Sequence, residues 1–176
     1  AGRHLIGHGH RKIAFVEHTR NSAKLRRHGL ADALAEIGVA FDPSWHIATG
    51  HSPAEMNGAI KHLYEQGVTA FFSMNDFIGG QVLAELHRLG IRVPEQAAVI
   101  GFDGLTFTAS LYPQLTTVVQ PVRELGHETV ELMLRRIGGE PLSESPLLLA
   151  PHLHLGESCG CASPPIYPDN QSIFKE

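Results

Sequence analysis

Phe71-Phe72-Ser73-Met74-Asn75-Asp76 is followed by a helical run, then by Leu89-Gly90-Ile91-Arg92-Val93-Pro94 and Val99-Ile100-Gly101-Phe102-Asp103. This stretch reads as strand, helix, strand, with a polar residue at the carboxyl end of each strand. In an open parallel sheet the carboxyl ends of the strands form the ligand crevice. Asn75 and Asp103 are therefore expected to face a bound molecule, and one segment carries both the fold and the function.

The same alternation extends outward. Ile13-Ala14-Phe15-Val16 is a short continuous apolar run, as expected of a buried parallel strand. The spacing of Leu25, Leu30, Leu34 and Ile37 predicts an amphipathic helix over 23–37, stopped by Gly38. Trp45-His46-Ile47-Ala48 is a second strand. Pro53 suits a first helical turn, and Met56, Ile60, Leu63 and Tyr64 mark the helix that follows, closed by Gly67. Residues 68–73 form a third strand, a helix from about Phe77 ends at Gly90, and 98–102 form a fourth strand. Strands alternating with helices through short loops predict an α/β fold, a doubly wound parallel sheet with helices on both faces. A strand order of 2-1-3-4 places the switch point between strands one and three.

After Asp103 the pattern changes. Residues 104–113 read as loop, 115–120 as extended chain, and 122–137 as a helix ended by Gly138-Gly139. Leu147-Leu148-Leu149 and His152-Leu153-His154-Leu155 are expected as short strands broken by Pro151, and the Pro-rich stretch 161–176 as a weakly ordered tail.

Composition sets the outer limits. The chain has 176 residues, 43% of them apolar, which fits one ordinary domain or slightly more. A net charge of -4 gives no general basic footprint for nucleic acid. No apolar run approaches the roughly 20 residues that span a bilayer, so no membrane partner is expected. With only two cysteines there is no disulfide framework, and a reducing cytoplasm is the expected location. The opening Ala1-Gly2-Arg3-His4-Leu5 lacks a signal peptide and reads as the last turn of a helix, which suggests a fragment of a longer protein.

Three polar residues fall after three different strands: Arg26, in the first turn of a helix, Asn75 and Asp103. Arg offers a planar fork of donors, Asp accepts, and Asn does both. Such a mixture suits adjacent hydroxyls of a sugar, and a purine edge also fits. Each residue has a structural role open to it. Asn75 or Asp76 can cap a helix, and for Asp76 the cap is the preferred reading. Convergence at one sheet edge favours binding for Arg26, Asn75 and Asp103. His8-Gly9-His10, His152-Leu153-His154 and Cys159-Gly160-Cys161 are reminiscent of metal-ligand pairs. Zinc sites usually space their cysteines by two to four residues, so surface histidines are the preferred reading and no metal or cofactor is expected. No phosphate loop and no glycine-flanked nucleophile serine is present, so no enzymatic activity is expected.

At these residues the chain resembles the lactose- and galactose-repressor (LacI/GalR) family of bacterial transcription regulators. The likeness is carried by Gly7-His8-Gly9-His10-Arg11-Lys12-Ile13-Ala14, Arg26-Arg27-His28-Gly29-Leu30, Asn75-Asp76 and Val93-Pro94. Val99-Ile100-Gly101-Phe102-Asp103, Leu115-Thr116-Thr117-Val118-Val119-Gln120-Pro121 and Gly156-Glu157-Ser158-Cys159 follow in order. The resemblance implies a two-lobed, periplasmic-binding-protein-like effector domain. On that pattern residues 1–113 are one lobe and 114–160 the crossover and returning part of the other. It implies that Ser22, Arg26, Asn75 and Asp103 contact a small-molecule effector, usually a sugar. Gln120 would line the cleft, Phe77 would pack on the ligand, and His51 or Ser52 would hydrogen-bond to it. It also implies a homodimer that reaches operator DNA only through a helix-turn-helix domain absent from this sequence. A sugar-binding protein of a transport system is the alternative, and an enzyme of doubly wound fold is a third class that fold alone leaves open.

Overall fold

A computed structural model describes residues 1–18, 23–48, 53–141 and 145–162. Strand β1 (Ile13–Glu17) is buried along its whole length and lies inside the sheet. Its parallel neighbours are β2 (His46–Ala48) on one side and β3 (Ala70–Ser73) on the other. Then come β4 (Ala98–Asp103), β5 (Thr116–Val119) and β6 (His152–His154), giving the order β2-β1-β3-β4-β5-β6. The reversal of strand order falls between β1 and β3, as the alternation predicts.

Successive residues along a strand point to opposite faces, and both faces are apolar here. Ala14, Val16, Phe71 and Val99 meet α3 (Pro53–Glu65) and α4 (Asp76–Arg88) through Met56, Ile60, Leu63, Val82 and Leu86. Ile13, Phe15, Ala70, Phe72, Ala98 and Ile100 meet α1 (Gly2–Gly7) and α2 (Lys24–Ala35) through Leu5, Leu30 and Leu34. That is the reason the strands read as continuous apolar runs. Among the described residues no helix is long and apolar enough to cross a membrane.

One strand expected in the second half, at residues 147–149, needs correction. Strand β6 runs antiparallel to β5, so the sheet is mixed. Residues 147–149 form no strand; Leu147 and Leu148 are exposed, and the ladder starts only past Pro151. β5 and β6 hydrogen-bond into the same layer as β1–β4. Among the described elements α5 (Val122–Ile137) stands off it: none of its residues is buried, and Leu125, Met133 and Ile137 are at least half exposed.

Candidate functional site

The carboxyl ends of β1, β3 and β4 bring together residues distant in sequence. Arg26 lies in the first turn of α2, which starts after the loop that follows β1. Its Nη1 donates to the Met74 carbonyl just past β3, and its Nη2 stands 3.6 Å from Asp103 Oδ1 at the end of β4. The guanidinium carbon sits 3.7 Å from the centroid of the Phe102 ring, a cation–π contact. Burial pulls the Arg26 pKa below its ordinary value, opposed by the charges of Asp103 and Asp76. Arg26 and Asp103 nonetheless keep about a quarter of their side-chain surface in contact with solvent, at 28% and 26%.

Gln120, one residue past β5, donates from Nε2 to the same Asp103 oxygen at 2.7 Å, and its backbone N–H bonds the Asp103 carbonyl at 3.3 Å. Asp103 itself has φ 111, a value L side chains rarely adopt. Strain of that kind persists where the surroundings over-determine it and concentrates at functional sites. A cavity of about 530 Å³ opens beside this group, lined by Asp103, Gln120, Val122, Arg123, Leu149 and His152 among others.

Asn75 caps α4, its Oδ1 accepting from the Ile78 N–H at 2.9 Å, which leaves its amide N–H groups as donors. The cap expected of Asp76 therefore belongs to its neighbour. Asp76 is fully buried, and its Oδ2 accepts from the Leu105 N–H at 2.7 Å while its Oδ1 accepts from the Thr117 hydroxyl. It thereby ties the start of α4 to the turn after Asp103 and to β5. Burial raises its pKa despite these bonds. Gly101 makes the approach feasible, since a Cβ there would overlap Asp76 Oδ1.

Phe77 is 62% exposed, so it is not core; it stacks on Phe107 with centroids 5.0 Å apart. Phe107 and Phe102 are not among the residues expected at the site, and the one sequence signal for the latter is an aromatic at a strand's carboxyl end. Ser22, His51 and Ser52 lie outside the described residues. Arg26, Asp103 and Gln120 are thus brought into one cluster, with Asn75 next to the carbonyl that Arg26 holds. The opposite charges of Arg26 and Asp103 balance, and the remaining donors and acceptors suit a neutral, hydroxyl-rich molecule better than an ion.

At the other end of the strands a second cluster forms, where the spacing of the cysteines predicts only surface histidines. His4 of the first helix and His8, which caps its carboxyl end, meet Cys159 and Cys161, with all four ligand atoms within 4.8 Å of one another. His10 is engaged elsewhere, with Thr69, and His152 and His154 lie on β6.

Comparison with known proteins places this geometry in context. The model of the periplasmic binding protein-like domain matches residues 3–159. The HTH-type transcriptional repressor PurR of Aliivibrio salmonicida is 33% identical over 141 residues, covering 78% of this chain and 42% of that protein. The crystal structure of the Escherichia coli transcriptional repressor ascG superposes with a TM-score of 0.78 at 30% identity, over 89% of this chain and 58% of that one. The transcriptional regulator CelR in complex with cellobiose gives a TM-score of 0.79 at 31% identity, over 90% and 50% of the two chains. The chain spans about half the length of the relatives it matches.

Proposed function

Because the chain belongs to the periplasmic binding protein-like domain family, in the form carried by lactose/galactose-repressor regulators, we propose that it is the effector-binding part of a DNA-binding transcription regulator, its effector a neutral sugar. The observation that carries this reading is the meeting of Arg26, Asp103 and Gln120 from three separate elements at the carboxyl edge of the sheet. Asp103 accepts from sugar hydroxyls, Arg26 donates to their oxygens, and Gln120 and Asn75 do either. The exposed Phe77–Phe107 pair supplies an apolar face for the C–H side of a sugar ring. The solved relative holding cellobiose supports a sugar over other neutral ligands. Relatives that are transcriptional repressors favour a regulator over a transport protein.

In this reading the cavity beside Asp103 is half of an interlobe cleft. The other lobe covers the apolar side of α5, and Gln120 lies where the chain crosses between lobes. Sugar bound between the lobes stabilises one degree of closure, and only that difference in affinity between states shifts operator binding. The functional unit is a homodimer, and operator contact is made through a helix-turn-helix domain outside this sequence.

The test is a thermal-shift screen of the protein encoded by the whole gene against mono- and disaccharides, cellobiose included, and against nucleobases. Sugars that stabilise the protein are then titrated calorimetrically and added to operator gel shifts. Stabilisation by nucleobases with none by any sugar would overturn the assignment of ligand class.

A further inference from the structure

We propose that His4, His8, Cys159 and Cys161 form a tetrahedral zinc site that fastens the carboxyl-terminal segment of the domain to its first helix. His4 Nε2 lies 3.2 Å from Cys159 Sγ and 3.6 Å from Cys161 Sγ, and His8 Nε2 lies 3.3 Å from Cys161 Sγ. With Zn–S near 2.3 Å and Zn–N near 2.0–2.1 Å, a tetrahedron has N···S edges of about 3.6 Å. The three separations sit within about 0.4 Å of that edge, close to the size of the polyhedron a zinc ion needs. Two imidazoles and two thiolates are also a donor set that structural zinc sites use.

Local geometry explains how the four residues meet. His4 and His8 are one helical turn apart, on α1 and at its carboxyl end, so both rings project from the same face, with centroids 4.7 Å apart. Cys159 closes the short helical turn Glu157–Cys159, and Gly160 follows in the left-handed conformation, φ 88. That bend brings two cysteines spaced by a single residue onto one centre, a spacing that looks too tight in sequence alone. Cys159 is almost fully buried, packed among Leu5, Ile13 and Ile100. Ser158 beside it bonds the Val99 carbonyl and the Thr116 N–H, so the backbone carrying the thiols is fixed to the sheet.

The cluster sits at the amino-terminal edge of the sheet. His10, two residues past His8, leads into β1 and bonds Thr69 just before β3, while Pro94, ahead of β4, lies 3.9 Å from a Cβ built on Gly160. Arg26 and Asp103 are at the opposite edge, so the metal would hold the fold together without touching the effector. On binding, each thiol releases its proton to solvent and the sulfur coordinates as thiolate, while the imidazoles bind neutral. The cation then joins residues about 155 apart in sequence across one centre.

The test uses the protein encoded by the whole gene. After purification under reducing conditions and dialysis against metal-free buffer, elemental analysis is expected to find about one zinc ion per chain. Replacement by cobalt(II) is expected to give the intense visible bands of a tetrahedral centre and a thiolate-to-cobalt charge-transfer band. Cys161→Ser and His8→Ala alter side chains at the surface of the cluster and leave the core intact, which circular dichroism verifies. Each is expected to weaken cobalt affinity by about tenfold or more, while His152→Ala leaves it unchanged. Reduced protein that retains no zinc and shows no thiolate–cobalt band overturns the site. So does cobalt affinity indifferent to both Cys161→Ser and His8→Ala.

Discussion

Gln120 Nε2 donates to Asp103 Oδ1 at 2.7 Å, on the same oxygen that faces the Arg26 guanidinium at 3.6 Å. The residue leaving β5 therefore fixes the carboxylate that ends β4. The Asp103 side chain is thus held by the protein's own contacts, and preorganisation of that kind lowers the ordering cost of binding.

Asp103→Ala and Arg26→Ala, made in the protein encoded by the whole gene, are each expected to weaken sugar affinity by about tenfold or more. A lost hydrogen bond to a charged group is worth about 1.5–3 kcal/mol. Calorimetric titration checks this, and unchanged affinity in both variants would remove the assignment.

The backbone of Asp103 offers a separate test of strain. At φ 111 an alanine carries the same steric cost, whereas glycine is relieved of it. Asp103→Gly is expected to be more stable than Asp103→Ala by about 1 kcal/mol, with both lacking the carboxylate. Urea unfolding compares the pair, and equal stability would argue that the strain is not there.

Gly104 is the only residue type that fits the next position. Its φ is 77, and a Cβ there would stand 2.7 Å from Val119 Cγ1 and 2.9 Å from Val119 Cα on the neighbouring strand. Gly104→Ala should cost about 2 kcal/mol or more, because backbone on the adjacent strand cannot yield as a flexible side chain does. Denaturant midpoints report it, and a loss within the range of ordinary surface substitutions would contradict the geometry.

Asp76 makes stability depend on pH with an unusual sign for a carboxylate. Burial raises its folded pKa above the unfolded value, so the native state favours the protonated form. Its contribution is then fully present below the ordinary aspartate pKa and is lost as pH rises through the raised one. The stability of the wild type relative to Asp76→Asn should accordingly fall on going from acid toward neutrality. A difference that grows over that interval would show that the hydrogen bonds from Leu105 and Thr117 outweigh desolvation.

The open face of α5 predicts the solution behaviour of the isolated chain. Val122, Leu125, Met133 and Ile137 are each more than half exposed, and contiguous exposed apolar surface promotes association. Light scattering on the eluting chain should find self-association that Leu125→Glu combined with Met133→Glu abolishes. A monomeric wild-type chain would refute this.

Patterns of a few residues were enough to read most of the fold. Continuous apolar runs at 13–16 and 98–102 became β1 and β4 because both faces of those strands are covered by helices. The bounds of α5 were legible because Pro121 and Gly138-Gly139 punctuate it chemically. Arg26, Asn75 and Asp103 could be singled out because alternation of strand and helix puts strand ends at one edge. Tertiary structure decided what those residues do. Asn75 rather than Asp76 is the cap, since only packing against Gly101 and Thr117 draws Asp76 inward. Leu147-Leu148-Leu149 has strand composition but no partner strand among the described residues, and a strand exists only where a neighbour's hydrogen bonds meet it. The contacts that matter most join residues far apart: Arg26 with Met74 across 48 positions, His4 with Cys159 across 155. Periodicity carries information over a few turns of helix or one strand. Which distant side chains share a point in space is set by strand order and register, and those follow from burying both apolar faces of the sheet at once.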